Sequence, residues 1–199
     1  MDERQLVAKA QSGDFDAFLL LVNDHKGKVY NLALKMTGSV QDAEDIVQDT
    51  LVKAIDKIDQ FRGESAFGTW LYSIALNQTR ALLATNKRTD LMPVEEYLPS
   101  NNLHDNQENS LRLFDWKDPH KLLEQNELRA IIDEAIETLP LKYKEAFILR
   151  YYEELSIKEV ADLLGESVAS AKSRVLRARL ALRDHLSKVF EGHYGRTLQ

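Results

Sequence analysis

Leu155-Ser156-Ile157-Lys158-Glu159-Val160-Ala161-Asp162-Leu163-Leu164-Gly165-Glu166-Ser167-Val168-Ala169-Ser170-Ala171-Lys172-Ser173-Arg174-Val175-Leu176-Arg177-Ala178-Arg179-Leu180-Ala181-Leu182-Arg183 decides how this chain folds. Ser156 stands three residues before Glu159, the spacing of a capping box. In that motif the serine hydroxyl accepts from the N–H of the later residue, and the glutamate accepts from the serine N–H. The helix so opened carries Val160, Ala161, Leu163 and Leu164 and stops at Gly165, a residue suited to the left-handed terminator. Ser167 is placed to cap a second helix. There Val168, Ala171, Val175, Ala178, Leu182 and Leu186 step by 3, 4, 3, 4 and 4, tracing one buried stripe. Ala161 is small where two crossing helices must approach closely. Lys172, Ser173, Leu176, Arg177 and Arg179 fall on the outward face. A helix apolar behind and cationic in front fits the major groove, where Arg and Lys reach guanine edges and phosphates. The spacing predicts a helix-turn-helix whose second helix lies against DNA. A plain helical hairpin with a basic rim would not require the cap, the glycine stop and the small crossing residue together.

The charge around this stretch supports that reading. The 199 residues carry a net charge of −6, which looks wrong for a nucleic-acid binder. The distribution matters more than the sum. Leu123 to Glu166 holds 11 acidic and 5 basic residues, whereas Ser167 to Lys188 holds 1 acidic residue and 6 basic ones. A cationic stripe on an otherwise acidic protein is the electrostatic form of a local phosphate-binding surface.

Upstream of the helix-turn-helix, Leu141 to Tyr152 predicts a helix begun by Pro140, and Leu122 to Leu139 another. Between Lys87 and Pro119 the character changes. Three of the four prolines lie there, with Ser100-Asn101-Asn102 and Asp105-Asn106-Gln107-Glu108-Asn109. Residues 87–121 therefore predict a tether, in which Leu111, Leu113, Phe114 and Trp116 form a cluster suited to docking on a neighbour. Residues 1–86 read as helices throughout, broken at Ser12-Gly13-Asp14, at Gly38-Ser39 and at Phe61-Arg62-Gly63-Glu64-Ser65. The expected architecture is all-α. It has two compact helical domains, 1–86 and 122–190, on that tether, with a tail at 191–199.

Composition bounds the function classes. Apolar content of 44% and charged content of 29% are those of a soluble globular protein. No run approaches the roughly 20 apolar residues of a membrane span, and the N-terminus lacks a signal-peptide core. With zero cysteines there is no disulfide framework and no thiolate zinc site. A cytoplasmic protein without membrane insertion is expected.

Two constellations stand in the N-terminal half. Asp42 to Ile58 pairs an apolar seam (Ala43, Ile46, Val47, Leu51, Ala54, Ile55, Ile58) with an acidic outer face. Asp45, Gln48 and Asp49, at i, i+3 and i+4, share one patch suited to a basic partner. Paired carboxylates also serve acid–base or metal chemistry, but no convergent histidine or pocket signature accompanies these. Phe61 to Asn77 then concentrates aromatics, a loop arginine and hydrogen-bonding side chains, a mixture that stacks and reads unpaired bases. Phe67, Trp70 and Tyr72 suit the core, while Phe61 and Asn77 flank the loop and the helix as candidates for a base pocket.

These blocks, in this order, resemble bacterial sigma factors of the extracytoplasmic-function (ECF) group of the sigma-70 family. Asp42 to Asp49 is similar to sigma region 2.2. Phe61 to Phe67, Thr69 to Ala75 and Asn77 are similar to the promoter-melting and −10-reading region. Leu139-Pro140, Leu155-Ser156 and Lys172 to Arg179 are similar to region 4. The resemblance implies a promoter-specificity subunit of RNA polymerase, with no catalysis of its own and no cofactor or metal. It implies that Asp45, Gln48 and Asp49 contact the β′ clamp helices, with the β flap a further contact of the core enzyme. Phe61, Arg62, Ser65, Ala66 and Asn77 would hold a flipped base of the −10 element, the cost of extrusion being offset by a fitting pocket. Arg150, Lys172, Ser173, Leu176 and Arg177 would contact the −35 element, with Arg174 and Arg179 nearby. An anti-sigma factor is a further implied partner.

Two departures stand out. Ala169-Ser170-Ala171-Lys172-Ser173 replaces the usual Gly-Thr-Val-Arg-Ser, and Lys172 loses the bidentate pairing with guanine that arginine makes. Ser73 and Ile74 stand where housekeeping factors carry paired tryptophans, which implies weaker melting and stricter promoter demands. Two other classes remain in view. A two-domain helix-turn-helix regulator that does not replace a sigma subunit leaves the acidic patch and the aromatic loop unexplained. A small helical enzyme lacks a nucleophile–base pair and a phosphate-binding glycine loop, and His25, His104, His120, His185 and His193 are scattered and expected at the surface.

Overall fold

A computed structural model describes residues 2–87 and 119–194, and all regular structure in these residues is helical. The helices are α1 (Glu3–Gln11), α2 (Phe15–Thr37), α3 (Val40–Lys57), α4 (Phe67–Lys87), α5 (Pro119–Glu137), α6 (Leu141–Tyr151), α7 (Ile157–Leu164) and α8 (Val168–Tyr194). The all-α expectation holds. The Leu111–Trp116 cluster lies outside the described residues. Helix α5 begins at Pro119, whose missing N–H costs nothing at a first helical position, and α8 runs past residue 190 to Tyr194.

Helices α1 to α4 form one unit. Asp14 caps α2 by accepting from the Ala17 N–H at 3.0 Å, and Gly38 ends it in the left-handed region at φ 69°. Ser39 then caps α3 through the Asp42 N–H. Val29, Leu32, Ala33, Ala43, Ala54, Phe67, Leu71 and Ala75 are wholly enclosed. Each large side chain among them contributes about 1.5–3 kcal/mol by leaving water. Ile55, expected on the apolar seam, is exposed instead, because the buried stripe of α3 follows Ala43, Ile46, Val47, Thr50 and Ala54.

Helices α5 to α8 form the second unit, and the expected local chemistry is present in it. Ser156 Oγ accepts from the Glu159 N–H at 3.3 Å, and the Glu159 carboxylate accepts from the Ser156 N–H at 2.8 Å. The Ser156 hydroxyl, which donates to the Glu159 carboxylate at 2.6 Å, and the Ser156 N–H together hold that carboxyl below the usual carboxylate range. Gly165 takes φ 68°, and Ala161 is buried at the crossing. Ser167 caps α8 through the Ser170 N–H. Ala171, Val175, Ala178 and Leu182 are buried as the stripe predicts. Val168, at the leading end of the helix, is 41% exposed, so the stripe begins one turn later than its spacing suggests.

The two units pack on each other through α2 with α6 and α4 with α7, and several charged and polar side chains bond across that junction. Arg80 of α4 binds Glu145 of α6 in a two-pronged pair, Nε to Oε1 at 2.7 Å and Nη2 to Oε2 at 2.9 Å. The Glu145 side chain is 4% exposed. Its neighbour Lys144, equally enclosed, donates to the Met36 carbonyl at 3.1 Å and to Glu137 at 2.7 Å. Lys35 pairs with Asp133 and lies over the Tyr152 ring. The Tyr72 hydroxyl donates to Glu153. Burial, reinforced by that carboxylate, pushes Tyr72 far above the ordinary tyrosine range, so it stays a donor.

Candidate nucleic-acid interface

Three surfaces carry the residues singled out in the sequence. On α3, Asp45, Gln48 and Asp49 are all exposed on one face, and Val52 one turn on extends that face with an open apolar side chain. The inward positions Ile46, Val47 and Thr50 anchor the helix, so the carboxylates project from a rigid element.

The second surface is the loop between α3 and α4. Arg62, Ser65 and Ala66 are exposed, as is Asn77 on α4. Phe61 is only 8% exposed. Its ring meets Phe67 edge-on at 5.7 Å and Trp70 at 5.2 Å. In this arrangement Phe61 belongs to the aromatic floor of the loop, while Arg62, Ser65 and Asn77 offer the open polar groups and Ala66 stands exposed beside them.

The supports of this loop are not legible in the local sequence. Gln11 of α1 donates to the carbonyls of Ile58 (3.0 Å) and Phe61 (2.8 Å), pinning the entry to the loop. Glu3 accepts from the Phe67 N–H and caps α4 from a distance of 64 positions. His25 is not an open surface residue. Its ring packs beside Phe67 and lies so close to Gly68 that a Cβ there would stand 2.8 Å from Nδ1. Only a pairing pattern linking α1 and α2 to α4 would have revealed these contacts.

The third surface is α8 with the end of α6. Lys172, Ser173, Leu176 and Arg179 are exposed along one stripe. Arg174 and Arg177, expected beside them, are half-buried at its edges. Arg174 pairs with Glu166, and Arg177 donates to the Tyr143 hydroxyl at 3.2 Å. Arg150 is exposed and donates to the Leu155 carbonyl at 3.0 Å, bracing the turn into α7. That turn contains Glu154, the one non-glycine residue at positive φ among the described residues. A capped helix-turn-helix with an exposed Lys/Ser/Leu/Arg stripe can lay four side chains along a groove floor and its phosphates.

Comparison with known proteins agrees with this layout. Residues 21–89 match the model of sigma-70 region 2, and residues 129–182 match that of sigma-70 region 4. The chain is 36% identical over 179 residues to the ECF RNA polymerase sigma-E factor of Haemophilus influenzae, spanning 90% of this chain and 92% of that one.

This chain is an ECF sigma factor. Its helices superpose on CnrH, solved in complex with the cytosolic domain of CnrY, with a TM-score of 0.66 and 26% identity over 94% of this chain and 99% of that one. They also superpose on the sigma factor RpoE of Bartonella quintana, solved with the anti-sigma factor NepR, at a TM-score of 0.60 and 29% identity, covering 87% and 97%. The first helical unit of this ECF sigma factor is thus its region 2 and the second its region 4. Like its family, it directs transcription initiation by RNA polymerase. Among the described residues no helix is long and apolar enough to cross a membrane.

Proposed function

We propose that this sigma factor engages core RNA polymerase through the open face of α3, with Asp45, Gln48 and Asp49 set against the β′ clamp helices and region 4 against the β flap. The loop residues Phe61, Arg62, Ser65 and Ala66, with Asn77, take the −10 element, Phe61 as floor and Arg62, Ser65 and Asn77 as polar contacts. Arg150, Lys172, Ser173, Leu176, Arg177 and Arg179 form the −35 surface, the exposed stripe of α8 being its centre, with Arg174 nearby at its edge. Residues 1–86 and 122–190 are the two working domains. The chain acts in the cytoplasm and supplies binding rather than catalysis. An anti-sigma partner is supported by the similar sigma factor RpoE of Bartonella quintana, solved in complex with the anti-sigma factor NepR.

The observation that carries this reading is the coexistence of two exposed surfaces of opposite sign on one chain, the acidic face of α3 and the cationic stripe of α8. A regulator that merely bound DNA would use the second and have no task for the first. The docked arrangement adds a geometric requirement. The two promoter elements lie about 25 base pairs apart, roughly 85 Å at about 3.4 Å per step. Helix α8, at about 1.5 Å per residue, is only roughly 40 Å long. We infer that units held together by Arg80 and Glu145 fall short of that span, so that reading both elements on straight DNA requires the junction to part.

Charge reversal tests the assignment. Asp45→Lys with Asp49→Lys should abolish co-migration with core polymerase and promoter-dependent transcription, while helical content and melting stay those of the parent. Undiminished binding to core enzyme would remove α3 from the interface. The absence of any promoter-dependent transcript from parent chain plus core polymerase would sink the reading as a whole.

A further inference from the structure

Glu166 breaks a local rule twice. Its N–H donates to the Ala161 carbonyl at 2.9 Å, which makes it the second residue past the end of α7 in a Schellman-type stop. That position commonly carries an apolar side chain packed back on the helix. It also immediately precedes Ser167, the cap of α8, where an apolar residue commonly staples the next helix. A carboxylate at the leading end of the helix that faces DNA moreover occupies the place where a phosphate is favoured. The positive end of α8 itself favours an acid at this place.

Glu166 also has partners along α8. Ser170 donates its hydroxyl to one carboxylate oxygen at 2.7 Å, and Arg174 pairs with the other. The three are spaced by four residues, Glu166 just ahead of α8 and Ser170 and Arg174 one turn apart on it. The Glu166 side chain is 16% exposed and that of Arg174 27%, so the pair is screened less than one in open water. Lys172 and Arg179, on the open stripe, carry no ion pair among the described residues.

We propose that Glu166 is a positioning residue that sets DNA specificity: it holds Arg174 against the turn and withholds that cation from the phosphate backbone. The inference rests on the reading that α8 lies against promoter DNA. For Arg174 to move to a phosphate it must leave one anion for another, stranding Glu166 partly enclosed with Ser170 alone and facing the phosphates. That exchange is unfavourable, so Arg174 stays. Each cation that meets phosphate strengthens binding to every sequence alike. Withholding one lowers capture by random DNA and leaves discrimination to Lys172, Ser173, Leu176 and Arg179.

The test uses the full chain and a fluorescent DNA duplex of random sequence, titrated at several salt concentrations. Wild type, Glu166→Gln, Arg174→Ala and the double variant are compared, with Lys172→Ala and Arg179→Ala alongside. Circular dichroism and melting establish that each is folded. Glu166→Gln keeps an acceptor for Ser170 but frees Arg174. It should bind several-fold more tightly and steepen the plot of log affinity against log salt by about one unit. Arg174→Ala alone should leave the slope within a few tenths of wild type, and the double variant should match Arg174→Ala. A slope flattened by about one in Arg174→Ala means that Arg174 already meets phosphate, and the proposal fails. A double variant as steep as Glu166→Gln means that the carboxylate acts by its own charge, and it fails again. If Lys172→Ala and Arg179→Ala leave the slope untouched, the placing of α8 on DNA fails first, and the inference with it.

Discussion

Phe67 and Glu145 are both enclosed, yet they hold different things together. Phe67 sits inside region 2 among Phe61, Trp70 and the ring of His25. Glu145 sits between the regions with its charge spent on Arg80. Inside each unit the enclosed surface is almost wholly apolar, whereas the junction between units also carries Arg80, Glu145, Lys144, Lys35, Asp133, Tyr72 and Glu153 in bonds from one unit to the other. Apolar surface has no good alternative to burial, so the units persist. Charged groups regain water when they separate, and a buried pair is close to energetic balance against its own hydration. The difference is that between a fold and a reversible contact.

The largest expected effect comes from breaking the apolar side of that contrast. Phe67→Ala should cost region 2 about 3–5 kcal/mol in denaturant unfolding followed by circular dichroism, with the region 4 transition unmoved. Next, Glu145→Ala should cost about 2 kcal/mol of docking, discounted because the Arg80 left behind reaches solvent. Small-angle scattering should then show a larger radius of gyration with unchanged helical content. An unaltered radius would mean that the junction does not depend on this pair. Ser156→Ala removes a cap within one unit and should lower the stability of region 4 by about 1 kcal/mol in thermal unfolding, without altering docking.

The smallest effect sharpens the comparison through pH. Burial pushes the Glu153 carboxyl up, against the hydrogen bond from Tyr72 and the charge of Lys28, which pull it down. The docked state therefore favours the protonated acid. Its contribution is complete below the ordinary carboxylate range and is lost as pH rises through the raised value. Docking followed by energy transfer between labelled units should tighten slightly as pH falls from neutral towards that range. Glu153→Gln should flatten this dependence; an unchanged profile would assign it to another group.

The helices and their ends were legible because they are local. Ser156, Glu159, Gly165 and Ser167 act within three or four residues of one another, and the stripe from Ala171 to Leu182 repeats at helical spacing. The exposed patch at Asp45, Gln48 and Asp49 followed from the same periodicity. The junction was illegible for the opposite reason. Arg80 and Glu145 stand 65 positions apart, and Lys144 and Glu145 read from the sequence as ordinary solvated charges on a helix. The burial of Phe61 was illegible because an aromatic flanking a loop can stand open or enclosed, and its packing with Phe67 and Trp70 is a tertiary feature. The pairing of Arg174 with an acid eight positions earlier was illegible because it joins the turn to the helix after it.

The charged junction also bears on inheritance. A substitution at Arg80, Lys35 or Tyr72 meets Glu145, Asp133 or Glu153 in the other half of the chain, so changes at the two ends of each pair are expected to act together rather than additively. A chimera that joins region 2 of this factor to region 4 of a relative would keep two sound helical units, each with its own core. It would lose the recognition of one half by the other, and a graft that restores the partner residues together should bring it back.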